Sequence, residues 1–206
     1  MNRWQAIVFD LDDTLYPERD FILSGFRAVA DWAETHLCLQ RDRGYADLCQ
    51  LYESGARGDT FNRWLVAYGQ LDAALPAQLV QVYRQHTPQL TPFAEAHVLL
   101  QRLHGRYRLG LVSDGYLDVQ RGKLAALGLT HYFDAIVFSD EWGRDAWKPS
   151  VLPFQAVLQR LAVSAAMAVY VADNPLKDFL GARQVGMFTV RIQHSGGEYS
   201  HLVPPT

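Results

Sequence analysis

Lysine is scarce in this chain. Its 206 residues hold Lys123, Lys148 and Lys177 and no other, so arginine supplies nearly all the positive charge. The formal net charge is -3 and the pI is near 6.1, and neither points to nucleic-acid binding. Cysteine is as rare. Cys38 and Cys49 both fall in segments that read as helices, which predicts buried free thiols rather than a structural disulfide. No apolar run approaches the ~20 residues of a spanning helix. Leu161 to Ala172 comes nearest and is too short. Asp10 interrupts any apolar stretch that would make an N-terminal signal peptide. The seven histidines are scattered without ligand spacing, so no zinc site is expected. Repeats and low-complexity tracts are absent as well. Together these absences predict a cytoplasmic protein that meets neither membrane nor nucleic acid, as a monomer or homodimer.

What is present is a folded core. Hydrophobic residues make up 49% of the chain, ample for burial and too much for disorder. The first apolar run, Ala6 to Phe9, reads as a buried strand. It stops abruptly at Asp10, Asp12 and Asp13, three carboxylates within four residues. Buried carboxylates cost several kcal/mol unless they are paired or hold a cation. They are therefore placed at the strand's C-terminal end, facing a crevice, where open α/β sheets bind ligands. Alternate side chains of an extended segment share a face. Asp10 and Asp12 can then address one substrate while Asp13 points elsewhere and caps a turn. Two convergent carboxylates suit a nucleophile with a proton donor, or a hard cation such as Mg²⁺.

From Asp20 to about His86 the periodicity is helical throughout, with Gly44, Gly55, Gly58, Gly69 and Pro76 as punctuation. From Thr91-Pro92 onward, helices and strands alternate. Helices are predicted from Pro92 to about His104, over Leu117–Leu127 and Ser150–Leu161, and from near Pro175 to Gly186. Strands are predicted over Tyr107–Val112, Ala135–Phe138, Ala168–Ala172 and Met187–Arg191. Such alternation implies a parallel sheet covered on both faces. The tail from Gln193, with Gly196-Gly197 and Pro204-Pro205, shows no element.

The strands end in polar groups: Asp10, then Ser113-Asp114-Gly115, then Ser139-Asp140-Glu141, then Asp173-Asn174. Ends of parallel strands share one edge, so these groups can converge. Trp147-Lys148-Pro149-Ser150 lies between the third strand and the next helix. With Pro149 opening that helix, Lys148 sits on the same edge. Trp142 and Trp147 flank this loop and either line a substrate mouth or cover the sheet edge.

Taken in order, these pieces resemble the haloacid dehalogenase superfamily of phosphohydrolases, over nearly the whole chain. Asp10-Leu11-Asp12-Asp13-Thr14 resembles the DxDxT signature, and Ser113, Lys148, and Asp173 with Asp178 match the later motifs. The resemblance implies a three-layer, Rossmann-like α/β core, residues 1–16 and 91–206, with an inserted helical cap of the class-one type, residues 17–90. It implies a phosphoric monoester hydrolase acting on a small phosphorylated metabolite of nucleotide or sugar phosphate type. The nucleophile would be Asp10, forming an aspartyl-phosphate, and the general acid–base would be Asp12. Phosphate would be bound by Ser113, Asp114 with its neighbouring N–H groups, and Lys148. Mg²⁺ would be held by Asp10, the Asp12 carbonyl and Asp173, with Asn174 and Asp178 in support.

The chemistry asks for these residue types in any case. A phosphate dianion repels a carboxylate nucleophile, so cations must sit between them. Asp12 must spend part of the cycle protonated, and crowding by carboxylates is expected to raise its pKa. The presence of Asp12 argues against the dehalogenase relatives. The lack of lysine between Asp10 and Gly122 argues against the phosphonate-cleaving ones, which form a Schiff base on a cap lysine. A phosphomutase, which retains its aspartyl-phosphate by excluding water, is the alternative enzyme. A non-catalytic binding module on the same fold is the other alternative. Lys177 is expected on a solvated helical turn. The cap arginines, Arg19, Arg27, Arg57 and Arg63, are expected on solvated faces.

Overall fold

A computed structural model describes residues 3–194, 197–199, 201 and 202. Gly196, Pro204 and Pro205, in the tail where no element is expected, lie outside these. In chain order the elements are β1 (Ala6–Phe9), α1 (Glu18–Leu37), α2 (Arg41–Glu53), α3 (Thr60–Ala67), α4 (Leu75–Gln85) and α5 (Ala94–Leu103). There follow β2 (Arg108–Ser113), α6 (Leu117–Ala126), β3 (Ala135–Phe138), α7 (Leu152–Leu161), β4 (Ala168–Ala172), α8 (Asp178–Gln184) and β5 (Phe188–Arg191). The chain divides into two compact units, residues 1–18 with 90–206, and residues 19–89.

The first unit is a five-stranded sheet in the order β3-β2-β1-β4-β5, with every pairing parallel. This is the Rossmann-like α/β architecture that the alternation predicts. The order follows from the connections. The chain steps from β1 outward to β3, then crosses back to β4 on the other side of β1. Beside β1 the connections leave in opposite directions, and that reversal opens a crevice at the strands' carboxyl ends. Buried Val8, Val112, Val137 and Tyr170 pack with Phe154, Val157 and Leu161 of α7 and with Phe179 and Ala182 of α8. Gly110 permits this close layer, since a Cβ there would lie 2.9 Å from Val157 Cγ2. Strand alternation sends Phe9, Leu109 and Leu111 to the opposite face, where they too are buried.

The second unit is all helical. Its core joins Phe26 and Val29 of α1, Leu48 of α2, Trp64 and Leu65 of α3, and Leu75 and Leu79 of α4. Gly44 does not punctuate between helices. It lies inside α2, where the absence of a side chain lets the Trp64 indole pack flat and donate to the Gly44 carbonyl at 3.1 Å. Cys38 is exposed just beyond α1 and Cys49 is half-buried, so both thiols are free but Cys38 is not in a core.

Three helix starts differ from expectation, each for a local reason. Helix α5 begins at Ala94 rather than Pro92, because Phe93 is extended, at φ -54° and ψ 136°, and stands as its N-cap, with its N–H bonded to the Leu15 carbonyl at 2.9 Å. That bond also ties the outgoing and returning crossings of the insert together. Pro149 does not open α7. Its peptide bond with Lys148 is cis, and the helix starts at Leu152 with Pro153 in its first turn. Helix α8 starts at Asp178 rather than near Pro175, because Asn174 turns the preceding loop by accepting the Leu176 N–H at 2.9 Å.

Candidate active site

The carboxyl ends of the strands deliver the chemistry. Asp10 follows β1, Ser113 closes β2, Ser139 follows β3 and Asp173 follows β4. Asp10 and Asp173 open onto a cavity of about 260 Å³, lined also by Asp12, Asp114, Lys177 and Trp147. A larger hollow of about 630 Å³ lies wholly in the helical unit, along Ser24, Arg27 and His86.

Lys148 is the hub. Its ammonium lies 2.6 Å from Asp10 Oδ1, 2.7 Å from Asp178 Oδ1 and 3.1 Å from the Tyr170 hydroxyl, fully buried among them. Burial alone would lower its pKa, but Asp10 and Asp178 outweigh burial and hold it well above the usual lysine value. Lys148 is therefore a fixed cation. Asp178 also accepts the Asn174 N–H at 3.0 Å, which locks the loop after β4 to the same cluster.

Asp10 keeps its other oxygen clear of Lys148. Burial pushes its carboxyl up to about 7; Lys148 pulls it down and Asp178 adds to the rise. Asp173 is pushed to about 8 by burial, then by Asp10 and Asp178, and it has no ion-pair partner among the described residues. Oxygens of Asp10, Asp173 and Asp178 lie within 4.8 Å of one another, all buried. Crowded carboxylate oxygens that resist ionising together are the donor set a hard divalent cation relieves. Lys148 and the Asn174 N–H engage Asp178, which leaves Asp10 and Asp173 as the carboxylates open to a metal.

Ser113 Oγ is buried and has no hydrogen-bond partner among the described residues. A buried hydroxyl without a partner costs roughly 1–3 kcal/mol, so this atom suits a ligand oxygen. Asp114 beside it does not present its side chain to a phosphate. Its carboxylate accepts from Ser139 Oγ at 2.6 Å and from the Lys148 N–H at 3.2 Å, and Lys177 Nζ lies 3.5 Å away. Asp114 is a brace between strand ends, and a phosphate contact from it reduces to the backbone. Asn174 likewise spends its side-chain oxygen on the Leu176 N–H. Asp13 takes the left-handed conformation at φ 50° and accepts the Glu18 N–H at 2.9 Å, capping the start of α1 as expected. Trp147 lines the cavity and donates to Asp140 at 3.0 Å, while Trp142 is exposed.

The surroundings of Asp12 reverse the expected direction of its pKa. Burial alone would raise it. The Lys123 ammonium 2.7 Å away, its hydrogen bond and that of Tyr16 more than compensate, and the carboxyl sits below its usual range. Glu18, 3.7 Å from Lys123, is instead raised to about 7, first by burial and then by Asp12. Lys177 stands in the turn that opens α8, as expected, with its side chain 39% exposed, but it also lines the site cavity. Thus all three lysines of the chain stand at this site. Sequence reasoning passed over Lys123, Gln120 and Tyr16. The available signal was their spacing: Gln120 and Lys123 are one turn apart on α6, immediately after the Ser113 strand end.

The sequence matches the model of the haloacid dehalogenase-like hydrolases over residues 7–192. The chain belongs to this family, and it is a hydrolase of the phosphatase type. It is 33% identical to the glyceraldehyde 3-phosphate phosphatase of Methanopyrus kandleri, across 97% of this chain and 88% of that protein. It is 28% identical to the ribulose-1,5-bisphosphate 5-phosphatase of Halopiger xanaduensis, across 90% of this chain and 83% of the relative. Among solved structures, a haloacid dehalogenase-type phosphatase from Thermococcus onnurineus superposes with a TM-score of 0.60 at 28% identity, covering 94% of this chain and 88% of that one.

Proposed function

We propose that this chain hydrolyses the phosphate monoester of a small metabolite, of sugar phosphate type, through an aspartyl-phosphate on Asp10 and with Mg²⁺. The observation that carries this reading is the buried triad of Asp10, Lys148 and the unpartnered Ser113 hydroxyl at adjoining strand ends. The free oxygen of Asp10 attacks phosphorus. Ser113 binds a phosphoryl oxygen, and Lys148, held cationic beside Asp10, offsets the repulsion between two anions. Asp12 rests as a carboxylate, the form that activates water. A phosphate dianion arriving beside it favours its protonation, the form that a departing alkoxide needs. Asp10, Asp173 and the Asp12 carbonyl would hold Mg²⁺, which when bound supplies Lewis-acid charge against the phosphoryl oxygens. The sugar phosphate class is supported by the relatives' substrates. Substrate choice is assigned to the helical insert, residues 17–90, which carries no catalytic motif.

The test is turnover of p-nitrophenyl phosphate and of a sugar phosphate panel with Mg²⁺, before and after exhaustive chelation, together with trapping of the phosphoenzyme. Turnover that survives chelation, or a phosphoryl group recovered on a residue other than Asp10, would refute the mechanism.

A further inference from the structure

Three donors from two separate segments converge on the Asp12 carboxylate. Lys123 Nζ lies 2.7 Å from Oδ1, and the Tyr16 hydroxyl donates to the same oxygen at 2.5 Å. Gln120 Nε2 approaches Oδ2 at 3.2 Å and also donates to the Asp114 carbonyl at 2.7 Å. Lys123 and Gln120 are each only 3% exposed, and Tyr16 is fully buried. A buried ammonium and a buried amide are costly to place, and aliphatic side chains would fill the same room. Gln120 and Lys123 share one face of α6, the helix launched from the strand that ends at Ser113. The clamp therefore joins the phosphate-binding strand end to Asp12 through a rigid element. It leaves the Asp10–Lys148–Asp178 cluster on its own set of contacts.

We propose that Lys123, assisted by Gln120 and Tyr16, is a positioning residue that fixes the rotamer of Asp12 and so its aim at the oxygen of the departing group. This inference rests on the reading of Asp12 as the general acid–base. Lys123 pairs with Asp12 at 2.7 Å and lies 3.7 Å from Glu18; it acts through Asp12. Holding both carboxylate oxygens removes the rotation about the Cα–Cβ and Cβ–Cγ bonds that a lone aspartate retains. The benefit should appear wherever proton delivery matters. A misplacement of ~1 Å costs on the order of 10²-fold in turnover.

The experiment compares Lys123→Met, Lys123→Arg and Tyr16→Phe in the Mg²⁺-loaded enzyme, on p-nitrophenyl phosphate and on a primary alkyl phosphate. Lys123→Met should lower kcat on the alkyl ester by roughly ten- to a hundredfold and on the nitrophenyl ester by less than about threefold, with KM little changed. Lys123→Arg should restore much of the loss, and Tyr16→Phe should repeat the same leaving-group pattern more mildly. Added to Asp12→Asn, Lys123→Met should cost almost nothing more, because its effect runs through a carboxylate already lost. Equal losses on both esters, or a full independent loss in the Asp12→Asn background, would overturn the proposal and leave Lys123 a structural residue. Should Lys123→Met fail to fold, the same comparison on Tyr16→Phe and Lys123→Arg decides. If Asp12→Asn itself shows no leaving-group dependence, the general acid–base reading falls, and the proposal with it, a result distinguishable from a failure confined to Lys123.

Discussion

Replacing Lys148 by methionine keeps the side chain's length and removes its charge. It leaves Asp10 and Asp178, whose side chains are 6% and 0% exposed, without their shared cation. Removing one partner of a buried ion pair costs about 3–5 kcal/mol, because the remaining charge stays uncompensated. For a chain of this size that is a fall in Tm of roughly 6–20 °C. The loss must depend on pH, and the sign is fixed. Burial already pushes Asp10 to about 7 with Lys148 in place, against an ordinary value of 3.8. Without Lys148 the folded-state pKa climbs further. A carboxyl raised on folding contributes stability that is full below its unfolded pKa and is lost as pH rises through the folded one. The deficit of Lys148→Met against wild type should be small at about pH 5, where folded Asp10 holds its proton, and largest at about pH 8. Urea denaturation followed by tryptophan fluorescence, with chelator present in both samples, measures it. A deficit under ~1 kcal/mol at about pH 8, or one that grew toward acid, would contradict the ion-pair account of this cluster.

Asp10→Asn should abolish turnover and the trapped phosphoenzyme while leaving the fold intact, with Lys148 still paired to Asp178; phosphoenzyme formation in that variant would refute the nucleophile. Asp12→Asn should cost on the order of 10²–10⁴ in turnover, less on p-nitrophenyl phosphate than on an alkyl ester, and equal losses would place Asp12 in the later hydrolytic step alone. Asp173→Asn should weaken Mg²⁺ binding, read by calorimetry or by the Mg²⁺ concentration for half-maximal rate, and unchanged metal affinity would remove Asp173 from the ligand set. Substitution of exposed residues in the helical insert, such as Arg27 or Arg63, should reorder rates among phosphate esters with little effect on acetyl phosphate; a uniform loss across all of them would make the insert part of the catalytic machinery.

Strand-end acids were legible because burial leaves them few explanations. A carboxylate that ends an apolar run must face a cation or a crevice, and that reasoning reached Asp10 and Asp173 from the sequence. The sheet was legible for a similar reason: four-to-six-residue apolar runs alternating with amphipathic helices admit few other layers. The helix starts were harder. Phe93 and Asn174 are each set by a local backbone conformation or a single bond that no periodicity encodes.

The neighbours of Asp12 were illegible for a deeper reason. A periodic reading of α6 treats Lys123 as one more polar position, because a lone lysine gives no hint that it is buried. Only the topology reveals that α6 starts beside the Ser113 strand end and carries the face holding Gln120 and Lys123 toward Asp12, more than a hundred residues earlier in the chain. The expectation that neighbouring carboxylates would raise the pKa of Asp12 failed for the same cause, since it counted the acids nearby in sequence and could not count a cation brought in by the fold. The two motif carboxylates thus end in opposite states. Asp10 and Asp173 are crowded and resist ionising, which suits a place where a metal and a phosphate arrive. Asp12, two residues from Asp10, is matched to its own lysine and stays ionised. The chain has only three lysines, and it places one on each side of this division: Lys148 on Asp10 and Lys123 on Asp12, with Lys177 at the cavity wall beside Asp114. Separate cations are what let two carboxylates so close in sequence hold different charges.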